Sequence, residues 1–196
     1  MHYFRFLDLP AEIRNNIYVK VLETDGPVYL TWRKNLICHT ALPGVSKQVR
    51  DEFMPITTLY APLVVARVKN FDFRYLIAFL NRLSDAEATS LQAVPCFREI
   101  HIEVDAVRPG HDGWYGCQKL ARWLKRFEHP TKKGTKVDAS YEIVYGTQSL
   151  HAMKTRLEDL ELDEWRPTLL SERQADEIKK MVDAIEEWFT WVQQAR

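Results

Sequence analysis

The chain has 196 residues, 46% hydrophobic and 12% aromatic, with 27 basic and 27 acidic side chains and a formal net charge of zero. That is enough apolar material for a sizeable core, in one compact unit or two small ones, and it excludes a disordered composition. The balanced charge supplies no overall field to recruit nucleic acid or a membrane surface, and no run approaches the roughly 20 apolar residues of a membrane span.

Three widely spaced cysteines (Cys38, Cys96 and Cys117) form no CxxC pair. With a first stretch that lacks an apolar signal core, they predict a reduced intracellular setting, cytoplasmic or nuclear.

The stretch from Phe6 to Leu22 is the best specified. Pro10 pre-sets φ for a first helical residue and pushes Leu9 out of the α region, so a helix is expected from Pro10. Glu12 falls in its first turn, where a negative charge suits the helix dipole. Ile13, Ile17 and Val21 recur every fourth residue, with Tyr18 and Leu22 one position on, which makes an apolar stripe. Arg14, Asn15, Asn16 and Lys20 are assigned to the other faces. Thr24-Asp25-Gly26-Pro27 is a turn, and Val28 to Trp32 reads as a short strand. Arg33 to Ala41 is a loop or the return arm of a hairpin. A second helix carries Leu42, Val45, Val49, Phe53 and Ile56 on one face, and Pro55 is expected to kink or interrupt it.

Two blocks of this region resemble a known family. Leu9-Pro10-x-Glu12-Ile13-Arg14-x-x-Ile17-Tyr18 looks like the opening of an F-box, more closely that of the F-box-like proteins of filamentous fungi. Leu42-Pro43-Gly44-Val45-Ser46-Lys47-Gln48-Val49-Arg50-Asp51-Glu52 is similar to the second half of that module. The resemblance implies a non-enzymatic interaction protein in which residues 1–60 form an F-box-like helical module. Leu9, Pro10, Ile13, Ile17, Val21 and Val45 would then form the apolar surface for a Skp-type adaptor of a cullin ubiquitin ligase. Residues 61–196 would be an irregular α/β body, separate or fused into one globular unit, that holds an unknown substrate protein.

Beyond residue 60 the pattern alternates between strand and helix. Leu63 to Val68 is a strand, and Phe73, Leu76, Ile77, Leu80 and Leu83 mark a helix. Ser84 to Pro95 holds a helical turn or a short second helix. Arg98 to Val104 alternates strictly, as a strand with one buried face does. Arg108 to Gly113 is a loop. Cys117, Leu120, Ala121, Leu124 and Phe127 mark the next helix, followed by a polar, basic loop from His129 to Thr135. Ala139 to Tyr145 is a third strand closed by Gly146, and Leu150, Met153, Leu157 and Leu160 lie on a further helix. This order predicts an α+β or α/β fold with a small, mostly parallel sheet built from β–α–β crossovers.

Trp165-Arg166-Pro167 breaks the chain again, and Ser171 with Gln174 forms a capping-box start. Ile178, Val182, Ile185, Phe189 and Val192 then make one stripe of a long C-terminal helix. That helix either closes the core or, through Trp188, Phe189 and Trp191, pairs with a second copy or a partner.

No nucleophile elbow, phosphate loop, dinucleotide fingerprint or HExxH helix occurs, so the reading names no catalytic residue, no cofactor and no metal. His101 and Glu103 share one face of a strand. Lys119, Arg122, Lys125, Arg126, Lys132, Lys133 and Lys136, with Trp123 among them, form a basic segment. It reads as a solvated helix face in preference to a nucleic-acid patch. The rival to the ligase reading is a self-contained fungal binding or effector domain, or a homodimer. Exposure of the Ile13/Ile17/Val21 stripe discriminates the two, because soluble monomers rarely leave such a patch uncovered.

Overall fold

The computed structural model describes residues 5–82, 99–106, 113–127, 138–146, 149–162 and 171–195. The first helix, α1, spans Ala11–Thr24. It begins one residue later than expected, because Pro10 keeps an extended backbone and acts as the cap. Its carbonyl accepts the amides of Ile13 and Arg14, each at 3.1 Å. The helix ends in a turn where Gly26 takes a φ of 86°, a left-handed conformation open to glycine.

Strands β1 (Val28–Leu30) and β2 (Leu36–Ile37) form the expected hairpin, with Leu30 opposite Leu36. The expected second helix is split into α2 (Leu42–Val45) and α3 (Lys47–Tyr60). Ser46 lies between them in extended conformation, and its hydroxyl accepts the Val49 amide at 3.1 Å. A serine that satisfies an orphan amide starts a new helix in preference to continuing the old one. Val45 therefore leaves the inner face and is 68% exposed, while Val49, Phe53 and Ile56 are buried. Pro55 does not interrupt α3, which runs on to Tyr60. Asp51 and Pro55 face solvent, where water can serve the carbonyl that Pro55 leaves without a donor.

Next come β3 (Leu63–Lys69), α4 (Arg74–Arg82), β4 (Glu99–Asp105), α5 (Gly113–Leu124), β5 (Asp138–Tyr145), α6 (Ser149–Leu162) and α7 (Glu172–Gln194). The described strands form one sheet in the order β2-β1-β3-β4-β5. Only the β1–β2 pair is antiparallel; β1–β3, β3–β4 and β4–β5 are parallel, as the alternation predicts. One face of the sheet is apolar, with Val64, Ala66, Val68, Ile100, Ile102, Val104, Ala139 and Ile143 all buried. The other carries Arg67, His101, Glu103, Ser140 and Glu142.

The buried apolar residues make one continuous cluster from Tyr18 to Ile185. Strand β1 belongs to the first 60 residues and β3 to the remainder, yet the two pair in parallel. On α5, Leu120, Trp123 and Leu124 are buried, as is Phe127 just beyond it, whereas Ala121 is exposed. Trp123 takes the inward place because its ring stacks on Phe73, 4.9 Å between centroids.

The capping box of α7 is complete: Ser171 Oγ accepts the Gln174 amide, and Gln174 Oε1 accepts the Ser171 amide. Helix α7 closes the core against β5 with Ile178, Met181, Val182 and Ile185. A buried chain of hydrogen bonds fastens it. Trp123 Nε1 donates to the Tyr141 hydroxyl at 2.8 Å, and that hydroxyl donates to Glu177 at 2.6 Å. Burial raises the pKa of both Tyr141 and Glu177. Farther along, Trp188 and Phe189 are half-buried and Trp191 is 65% exposed.

The expected segments Ser84–Pro95, the loop through Arg108 to Asp112, the basic loop His129–Thr135 and the break at Trp165–Pro167 lie outside the described residues.

Candidate functional site

The two blocks of sequence that carry the family resemblance pack on each other. Helix α1 turns Arg14, Tyr18 and Leu22 inward. This corrects the assignment of Arg14 to an outer face. Its guanidinium forms a two-pronged pair with Glu52 of α3, Nε to Oε2 at 2.9 Å and Nη2 to Oε1 at 2.7 Å. Arg14 Nη1 also donates to the carbonyls of Leu7 and Leu9, which ties the entry segment to the helix.

Glu52 accepts two further bonds, from the Tyr18 hydroxyl at 3.1 Å and from Gln48 Nε2 at 3.0 Å. Every one of these favours the carboxylate over the acid. The Arg14 bonds, followed by that of Gln48, hold the Glu52 pKa down to about 2. Beside this network the Tyr18 and Phe53 rings meet edge to face at 5.4 Å, and Phe6 packs on Tyr18 at 5.6 Å.

With Arg14 and Tyr18 inside, the residues one step before them face out. Ile13 is 46% exposed and Ile17 is 36% exposed. They are one turn apart and so are neighbours on the helix surface. Leu7 and Val45 are exposed as well. Pro10 is exposed, while Leu9 and Val21 are half-buried, with Val21 against the core. Of the six predicted contact residues, four are therefore open to solvent and two are partly covered. The entry segment and α1 thus present aliphatic side chains over a charged clamp that fixes their backbone.

The basic segment is not brought together as one surface. Arg126 is buried, and its Nη1 donates to the Ile77 carbonyl at 3.3 Å and to Asn81 at 3.1 Å. Trp123 is buried beneath it. Lys119 pairs with Asp72 at 3.3 Å. Arg122 and Lys125 are exposed, and Lys132, Lys133 and Lys136 lie outside the described residues. Sequence spacing marked the helix as basic but could not place Arg126 and Trp123 on its inner side.

On the polar sheet face His101 is engaged, with Nδ1 3.0 Å from Ser140 Oγ and Nε2 2.9 Å from Glu142. Among the described residues no group of three His, Cys, Asp or Glu side chains could hold a metal ion. No described helix is long and apolar enough to cross a membrane. In comparisons with known proteins, no family model, no curated protein and no solved structure matches the chain.

Proposed function

We propose that the chain is a non-enzymatic, intracellular protein-interaction module of the F-box-like kind. Its surface of Leu9, Pro10, Ile13, Ile17, Val21 and Val45 docks a Skp-type adaptor, and its α/β body presents a partner protein to a cullin ubiquitin ligase. The observation that carries this reading is the outward stripe of α1, with Ile13 46% and Ile17 36% exposed beside an exposed Leu7. Helix α1 buries Tyr18 and Leu22 in its own core, but it turns in Arg14 ahead of Ile13 and Ile17. Burying each such aliphatic side chain in a partner contributes roughly 1.5–3 kcal/mol, so a few anchors suffice.

The test is co-expression with a fungal Skp-type adaptor, then size-exclusion chromatography with light scattering. The expected result is a one-to-one complex with the wild type and none with Ile13→Asp/Ile17→Asp, which keeps the wild-type circular dichroism and melting curve. Wild-type protein that stays folded and alone overturns the reading and leaves a self-contained binding domain.

A further inference from the structure

The groove between β5 and the second half of α7 is an open cleft of about 290 Å³. Its apolar floor is Ile143, Val144 and Ala184. Trp188, Trp191, Glu142 and Glu187 complete its lining. Ala184, Glu187, Trp188 and Trp191 fall at helical spacings of three and four, which puts them on one strip of α7 facing the strand.

The charge in this groove is one-sided. Among the described residues no lysine or arginine lines it. Glu187 has no hydrogen bond or ion pair among the described residues. Glu142 uses one oxygen, Oε2, for His101 and has no other hydrogen bond among the described residues. Lys180 of α7 is paired with Asp138 and Glu177, and Lys154 of α6 with Glu158 and Glu186.

We propose that this groove binds a small alkylated ammonium cation, of which a choline-type trimethylammonium is the simplest form. Aromatic faces attract cations through the ring quadrupole, and indole does so best. Two carboxylates at the rim add long-range attraction and repel anions. The apolar floor suits a cation whose charge is covered by methyl groups and whose hydration is weak. A bare metal ion or a primary ammonium would instead have to surrender a tight hydration shell to Ile143, Val144 and Ala184. The volume lies at the small end for ligand pockets and fits a headgroup in preference to a large ligand. The groove shares no lining residue with the proposed adaptor surface.

The test is a titration of the full chain with choline, followed by NMR of the tryptophan indole N–H signals. The six tryptophans give resolvable probes, with Trp191 assigned from Trp191→Phe. The expected result is a saturable shift of two indole signals. Trp191→Ala should weaken binding about three- to fivefold, the size of one exposed cation–π contact. Glu187→Gln, on an exposed side chain, should also weaken binding while leaving the spectrum otherwise unchanged. The neutral isostere 3,3-dimethylbutan-1-ol should bind more weakly than choline. Equal affinity for the neutral alcohol overturns the proposal, as does a failure of millimolar choline to shift the two signals. Indole shifts that follow protein concentration without choline also overturn it, because the groove would then cover a second copy.

Discussion

Arg14 and Glu52 lie 38 residues apart and meet in a two-pronged ion pair, 2.9 and 2.7 Å, between the first helix and the third. The pair fixes the face of α1 that carries Arg14, Tyr18 and Leu22 inward and leaves Ile13 and Ile17 outside. Its energetics follow from the carboxylate, which accepts four hydrogen bonds as an anion; a proton on either oxygen would take an acceptor site and remove the charge facing Arg14.

Acid should therefore loosen the first helix. The Glu52 pKa is lowered from 4.5 to about 2, chiefly by Arg14, and that of Asp72 from 3.8 to about 2, chiefly by Arg74. A depressed carboxylate stabilises the fold above its unfolded pKa, and that contribution disappears as pH falls through the folded value. Stability should decline between pH 4.5 and about 2. In urea unfolding, the gap between wild type and Glu52→Gln should be widest near pH 7 and shrink through that window. A gap independent of pH would count against the ion pair as its source.

The two faces of α1 and α3 should respond in opposite ways to substitution. Ile13→Asp touches an exposed position and should change stability by no more than about 0.5 kcal/mol. Phe53→Ala removes a fully buried ring and should cost about 3–5 kcal/mol. Chemical denaturation of the two variants side by side reads the difference directly. Similar losses would mean that the stripe is core after all.

The fastening of α7 depends on a hydroxyl. Tyr141→Phe keeps the ring but leaves buried Trp123 Nε1 without its acceptor and Glu177 Oε2 without its donor, while Lys180 still reaches Oε1. The expected cost is about 1–3 kcal/mol, visible as a lower urea midpoint. Hydrogen exchange should then rise in α7 before it rises in β3 and β4.

Gly146 follows β5 where α6 and α7 converge. A β-carbon there would collide with Leu150 Cδ1 and stand 2.8 Å from Trp188 Cζ2. Gly146→Ala should cost about 1–3 kcal/mol, as overpacking does. Because the displaced ring is a wall of the β5–α7 groove, the same substitution should move the Trp188 indole N–H signal.

Much of the fold could be read from the chain itself. Periodicity alone assigned β3, β4 and β5 and the helices between them, because a buried strand and a buried helix each demand their own spacing of apolar residues. The Ser171–Gln174 capping box was legible for the same reason: its two hydrogen bonds are local. The parallel character of the sheet beyond residue 60 came within reach through the β–α–β alternation, whereas the strand order and the pairing of β1 with β3 were set by tertiary contact.

The inward face of α1 was decided only by tertiary contact. Ile13/Ile17/Val21 and Arg14/Tyr18/Leu22 have the same period, and hydrophobicity favours the first set. A carboxylate arriving from α3 reverses the choice, since burying Arg14 is tolerable only when Glu52, Tyr18 and the carbonyls of Leu7 and Leu9 surround it. Likewise Trp123 and Arg126 read as members of a basic surface until Phe73, Ile77 and Asn81 draw them inside. Local sequence determines which structures each segment can form; which face of a helix is buried depends on the partner that distant residues supply.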